Sequence, residues 1–101
     1  MARSLRLARH TDVTLKIEKT VERHRTTVKL IGRIQAEDLL EVTRQLEASG
    51  SGAVLELNEV TLVDVDVVRF LNQCEREGIR LINRSPYIRE WMRRERNRRK
   101  R

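Results

Sequence analysis

One cysteine, one proline and three aromatic side chains in 101 residues remove several possibilities at once. Cys74 alone cannot build an internal disulfide framework. No apolar stretch is long enough for a signal-peptide core or a membrane span, and the opening Met-Ala-Arg-Ser-Leu-Arg-Leu-Ala-Arg-His is broken by charge throughout. The expectation is a cytoplasmic protein with no membrane insertion. A Gly-rich phosphate loop is also missing, because Ser49-Gly50-Ser51-Gly52 has no Lys-Ser/Thr after it and reads as a flexible turn. No internal repeat or low-complexity linker interrupts the chain. This length supports one modest core but not a cofactor cavity between two domains, so no cofactor is expected.

What the chain has in excess is positive charge, a formal +7. Its location matters more than its size. Residues 93–101 hold seven basic side chains and one acidic, whereas residues 1–92 carry 15 basic against 14 acidic. The globular part is close to neutral. A basic run confined to one terminus reads as a solvated tail, and weak, salt-sensitive attraction to polyanions follows from its charge alone. An accessory nucleic-acid or anionic-surface binder acting through Arg93–Arg101 is therefore the alternative functional class.

Periodicity organises the rest. Residues 1–12 show no period and read as an irregular lead-in. Val13, Leu15 and Ile17 alternate with polar neighbours as a half-buried strand does, and the polar Glu22-Arg23-His24-Arg25 separates them from a second strand whose Val28, Leu30 and Ile34 point one way. The period then becomes helical over Ala36–Ser49, with Ala36, Leu39, Leu40, Thr43 and Leu46 on one stripe. A short buried strand follows at Ala53–Leu57, then an amphipathic helix with Val67, Phe70, Leu71 and Cys74 inward and Arg69, Asn72 and Arg76 outward. Gly78 suits the position past its end. Ile79–Asn83 is a fourth strand, and Ser85-Pro86 opens a last helix with Ile88, Trp91 and Met92 on its apolar face. The order β-β-α-β-α-β-α predicts an α/β domain over residues 13–92, a four-stranded mixed sheet with three helices whose first two strands are antiparallel.

This order, with Leu30-Ile31-Gly32-Arg33-Ile34, Val54-Leu55-Glu56-Leu57-Asn58, Val60-Thr61-Leu62-Val63-Asp64 and Ser85-Pro86 in sequence, resembles the STAS domain family of sulfate transporters and anti-sigma factor antagonists. The resemblance covers about Val13 to Met92 and implies a minimal version ending with the third helix. In regulatory members an Asp-Ser-Ser-Gly turn follows the third strand, and its second serine is phosphorylated by a partner kinase that is also an anti-sigma factor. Here the turn reads Asp64-Val65-Asp66-Val67. The resemblance thus implies an anti-sigma factor or kinase-like protein partner, but no phosphorylation at this turn. Asp66 supplies one fixed negative charge where a phosphoserine carries nearly two.

Three readings compete for the acidic turn. A helix start favours negative charge, so one aspartate can simply cap the helix, worth about 1 kcal/mol, while the other faces water. The pair also fits the Asp-x-Asp opening of haloacid-dehalogenase-type phosphatases, in which the first aspartate attacks phosphorus beside Mg²⁺. That chemistry needs a downstream lysine and further acidic ligands. After Asp66 there is no Asp, and the only lysine is Lys100 in the tail. The third reading is a recognition surface made by Asp64, Asp66, Val67, Arg69 and Asn72, with no catalytic residue. Elsewhere, His10 and His24 lack partners at metal-ligand spacing and read as exposed loop residues, so no metal site is expected. Cys74 reads as a buried structural thiol. Tyr87 and Trp91 could anchor an interface, although core packing is favoured for Trp91.

Overall fold

The computed structural model describes residues 15–50 and 52–99. The lead-in expected over residues 1–12, with His10 in it, and the final two residues of the basic run lie outside that range.

Strand β1, Leu15–Glu22, pairs antiparallel with β2, Arg25–Ile34, in unbroken register from Leu15 opposite Gly32 to Glu22 opposite Arg25. Arg23 and His24 make the turn between them with φ of 48° and 73°. A two-residue hairpin needs this left-handed pair if its twist is to match the strands. Neither residue is glycine or asparagine, so each carries a Cβ strain on the order of 1 kcal/mol.

A 3-10 turn at Ala36–Asp38 leads into helix α1, Leu39–Ser49, followed by strand β3, Val54–Val63, helix α2, Val65–Arg76, strand β4, Arg80–Ile82, and helix α3, Pro86–Arg99. The sheet order is β1-β2-β3-β4, with β3 parallel to both β2 and β4. The protein is therefore an α/β fold with a four-stranded mixed sheet and three helices, as the periodicity predicts.

Strand β3 is twice as long as the sequence pattern suggests, and its register explains why. Lys29 lies opposite Glu56, but Ile31 lies opposite Glu59 and Arg33 opposite Leu62, so β3 holds an extra residue at two places. Each bulge advances the side-chain alternation by one position. The inward residues consequently fall at Leu55, Leu57, Val60 and Val63, spaced by two, three and three. A period-2 template stops at Leu57 and misses the remainder.

The helices cover one face of the sheet, where Val28, Leu30, Leu55, Leu57 and Leu81 join Val42, Leu46, Val68, Leu71, Ile88 and Met92 in one core. The other face mixes polar side chains with apolar ones such as Val54, which is 4% exposed. Lys29, which lies between Glu18 and Glu56 across the strands, pairs there with Glu59 at 2.8 Å. That contact holds the ammonium above its ordinary pKa, with the charges of Glu18 and Glu56 adding to it. The α1 stripe is rotated from the expected one: Val42 is fully buried and Leu40 is 64% exposed. Positions two apart on a helix lie on nearly opposite sides, so burying Val42 in line with Leu46 turns Leu40 outward.

Two helix ends follow their sequence signals. Gly78 (φ 90°) closes α2, with Ile79 N–H donating to Cys74 C=O and Gly78 N–H to Glu75 C=O, the bond pair of a Schellman motif. Ser85 Oγ accepts from Ile88 N–H at 3.2 Å beside Pro86 at the first position of α3. The basic run is not a loose tail, since residues 93–99 continue α3 and Glu95 within them is only 5% exposed.

Relieving the strained hairpin should stabilise the fold. The double substitution Arg23→Asn and His24→Gly is expected to add about 1 kcal/mol, read as a higher urea midpoint at unchanged slope. A midpoint that stays or falls would contradict the strain at this turn.

Candidate functional site

Strands β2 and β3 run parallel, so their carboxyl ends lie side by side, and both following helical segments start there. A helix start leaves backbone N–H groups without intrahelical acceptors. Asp64 serves both starts. Its backbone is extended (φ −109°, ψ 179°), its Oδ1 accepts from Val67 N–H at 3.0 Å, and its Oδ2 accepts from Ala36 N–H at 3.0 Å. Asp38 Oδ2 reaches back to accept from Gln35 N–H at 2.8 Å. Two carboxylates thus satisfy three donors at one corner of the fold.

The other acidic side chains at this corner are used differently. Glu41 accepts from Gln45 Nε2 at 2.8 Å and from Arg44 at 3.4 Å. Glu37 and Asp66 are exposed, and among the described residues neither has a hydrogen-bond or ion-pair partner. Leu40, in the first turn of α1, and Leu62, two residues before Asp64, are 64% and 48% exposed. Glu37, Asp66 and Leu40 belong to the helical segments of this corner, whereas Leu62, beside inward Val63 and opposite exposed Arg33, faces the other side of the sheet.

Not every residue expected on this surface is there. Val67 is buried at 1% exposure, so it belongs to the core and not to a contact face. Asn72 is buried too, with Nδ2 donating to Met92 C=O at 3.0 Å and Oδ1 accepting from Arg96 at 3.2 Å. Arg69 donates its Nε–H to buried Glu95 at 3.0 Å. Helix α3 packs across the flank of α2, converting an apparently outward polar stripe into a seam. Arg84 extends that seam by pairing with Glu75 at 3.1 Å. A single-helix pattern shows which face meets the sheet, but not which flank a later helix will cover.

No local pattern singles out Glu95. A lone acid among seven basic side chains is the one signal that could have exposed it, since a carboxylate there must either be solvated or find a fixed partner.

Cys74 is buried, and burial pushes its thiol up to about 12, with Glu77 and Glu75 adding to the effect. It stays a neutral, packed thiol at neutral pH. His24 lies exposed in the hairpin turn. Among the described residues, no three His, Cys, Asp or Glu side chains are grouped so as to hold a metal ion. No helix of the described residues is long and apolar enough to cross a membrane.

The two aspartates of the turn should separate in a stability measurement. Asp64→Ala removes acceptors for two backbone donors and is expected to cost about 2 kcal/mol, whereas Asp66→Ala should stay within about 0.5 kcal/mol of wild type. Equal urea midpoints for the two variants would contradict the division of labour.

No model of a known protein family matches the chain, and no curated protein shows a significant match to it.

Proposed function

We propose that this chain is a non-catalytic protein-interaction module of the anti-sigma-factor-antagonist kind, whose contact surface is the acidic corner at the starts of α1 and α2. One observation carries the reading. Asp64 is fully engaged in holding the corner together, while Asp66, Glu37 and Leu40 on the helical segments it joins are exposed and unengaged. An uncovered aliphatic side chain rimmed by free charge is an ordinary feature of a protein contact surface.

The geometry argues against a reaction centre at the same place. In the phosphatase reading Asp64 would attack phosphorus, yet each of its oxygens already accepts a backbone N–H, which lowers its nucleophilicity and fixes its position. Strands β2, β3 and β4 are also laid down in one direction along the sheet. Open α/β sheets form ligand crevices where the strand order reverses, and these three strands have no such reversal.

The partner face is expected to be basic or to offer backbone donors, with an apolar recess for Leu40. Because Val65 and Asp66 stand where regulatory members of the resembling family carry serines, the mechanism is occupancy of the partner without a phosphorylation step at this turn. An anti-sigma factor or kinase-like regulator is the partner class this implies. The contact surface comprises Asp66, Glu37 and Leu40, with Val67 and Asn72 excluded by burial.

Affinity capture with wild type, Asp66→Lys and Leu40→Glu tests the proposal, followed by titration of the captured protein. Both variants should weaken its binding at least about tenfold, a loss of roughly 1.4 kcal/mol, while keeping the wild-type unfolding midpoint within about 1 kcal/mol. Unchanged binding by both variants would remove the corner as the contact surface.

A further inference from the structure

The net charge of the protein is concentrated towards its C-terminus. Residues 84–101 carry nine basic and two acidic side chains, an excess equal to the formal +7 of the entire chain. One of the two acids, Glu95, is buried against Arg69 and offers nothing to the surface. The other, Glu90, is shared by Arg93 and Arg94 on a solvated face, where such pairs are weak.

Aromatic groups lie in this field. Tyr87, Trp91, Arg94 and Arg98 fall at helical spacings of four, three and four, so they line one flank of α3 over about 16 Å. Tyr87 is 50% exposed, and its ring centroid is 5.8 Å from that of Trp91 with the planes tilted by 51°. Trp91 rests partly on the core, which backs the pair from below. A supported, half-open aromatic pair flanked by arginines is the arrangement that stacks an unpaired base and neutralises its phosphates.

We infer that the Tyr87–Trp91–Arg94–Arg98 flank of α3 binds single-stranded nucleic acid, with a base stacking on Tyr87 and the arginines on the backbone. Charge complementarity selects a polyanion, and the exposed ring selects one with free bases over a duplex. An anionic membrane fits less well, because the apolar side chains α3 would have to insert, Ile88 and Met92, are 1% and 0% exposed in the core. This site lies on a different element from the acidic corner and does not depend on it.

Trp91 is the only tryptophan in the sequence, so its fluorescence reports on this flank alone. Titrating the full chain with an oligouridylate of about 20 nucleotides should quench it saturably, and the affinity should fall about tenfold between roughly 50 and 200 mM NaCl. Tyr87→Ala and the pair Arg94→Glu/Arg98→Glu should each weaken binding at least about fivefold. Tyr87→Phe and the remote charge reversal Lys16→Glu should stay within about twofold of wild type. The inference is overturned by no quenching, by affinity that Tyr87→Ala leaves intact, by equal affinity for a duplex of the same length, or by a response seen only with phosphatidylserine vesicles.

Discussion

A single carboxylate holds the corner on which this fold turns. Parallel strands must be joined through helices, and two helix starts therefore crowd the carboxyl ends of β2 and β3 with unsatisfied N–H groups. Asp64 answers both, giving one oxygen to Val67 of its own helix and the other to Ala36, 28 residues earlier in the chain. The second bond fixes where the 3-10 turn and α1 begin relative to α2. It thereby sets which side chains of α1 reach the core, and it leaves Leu40 outside. A cap worth only about 1 kcal/mol locally has a tertiary consequence because it links two segments in place of one.

Along α2 the organising contacts with the C-terminal segment are polar. Arg69 with Glu95, Asn72 with Met92 C=O and Arg96, and Arg84 with Glu75 join α3 to the body of the fold. Ile88 and Met92 supply the apolar part of the same seam. With Glu95 neutralised internally, α3 shows solvent an almost uniformly basic surface, while the starts of α1 and α2 show an acidic one. Charges of opposite sign thus sit on separate elements.

Much of this was legible in residue order alone. Alternation in Leu15–Ile17 and Val28–Leu30, Gly78 after α2 and Ser85-Pro86 before α3 each specify local geometry through one mechanism, and each stands where it was read. The misses share a cause. The two bulges of β3 change its alternation through pairing with β2, and the burial of Asn72 and Glu95 depends on where α3 comes to rest. These are tertiary facts with no local periodicity. At the acidic turn the sequence correctly placed two aspartates at a helix start, but could not distribute the roles. The bond from Ala36 N–H, which commits Asp64 to the scaffold, spans 28 positions.

Amide hydrogen exchange in wild type and Asp64→Ser tests the bridging role most directly. A serine can still accept from Val67 N–H as a helix cap but is too short to reach Ala36 as well. Exchange at Ala36 should accelerate at least about tenfold in the variant while Val67 keeps most of its protection. If Ala36 exchanges at the same rate in both proteins, Asp64 is an ordinary cap and the corner is held by something else.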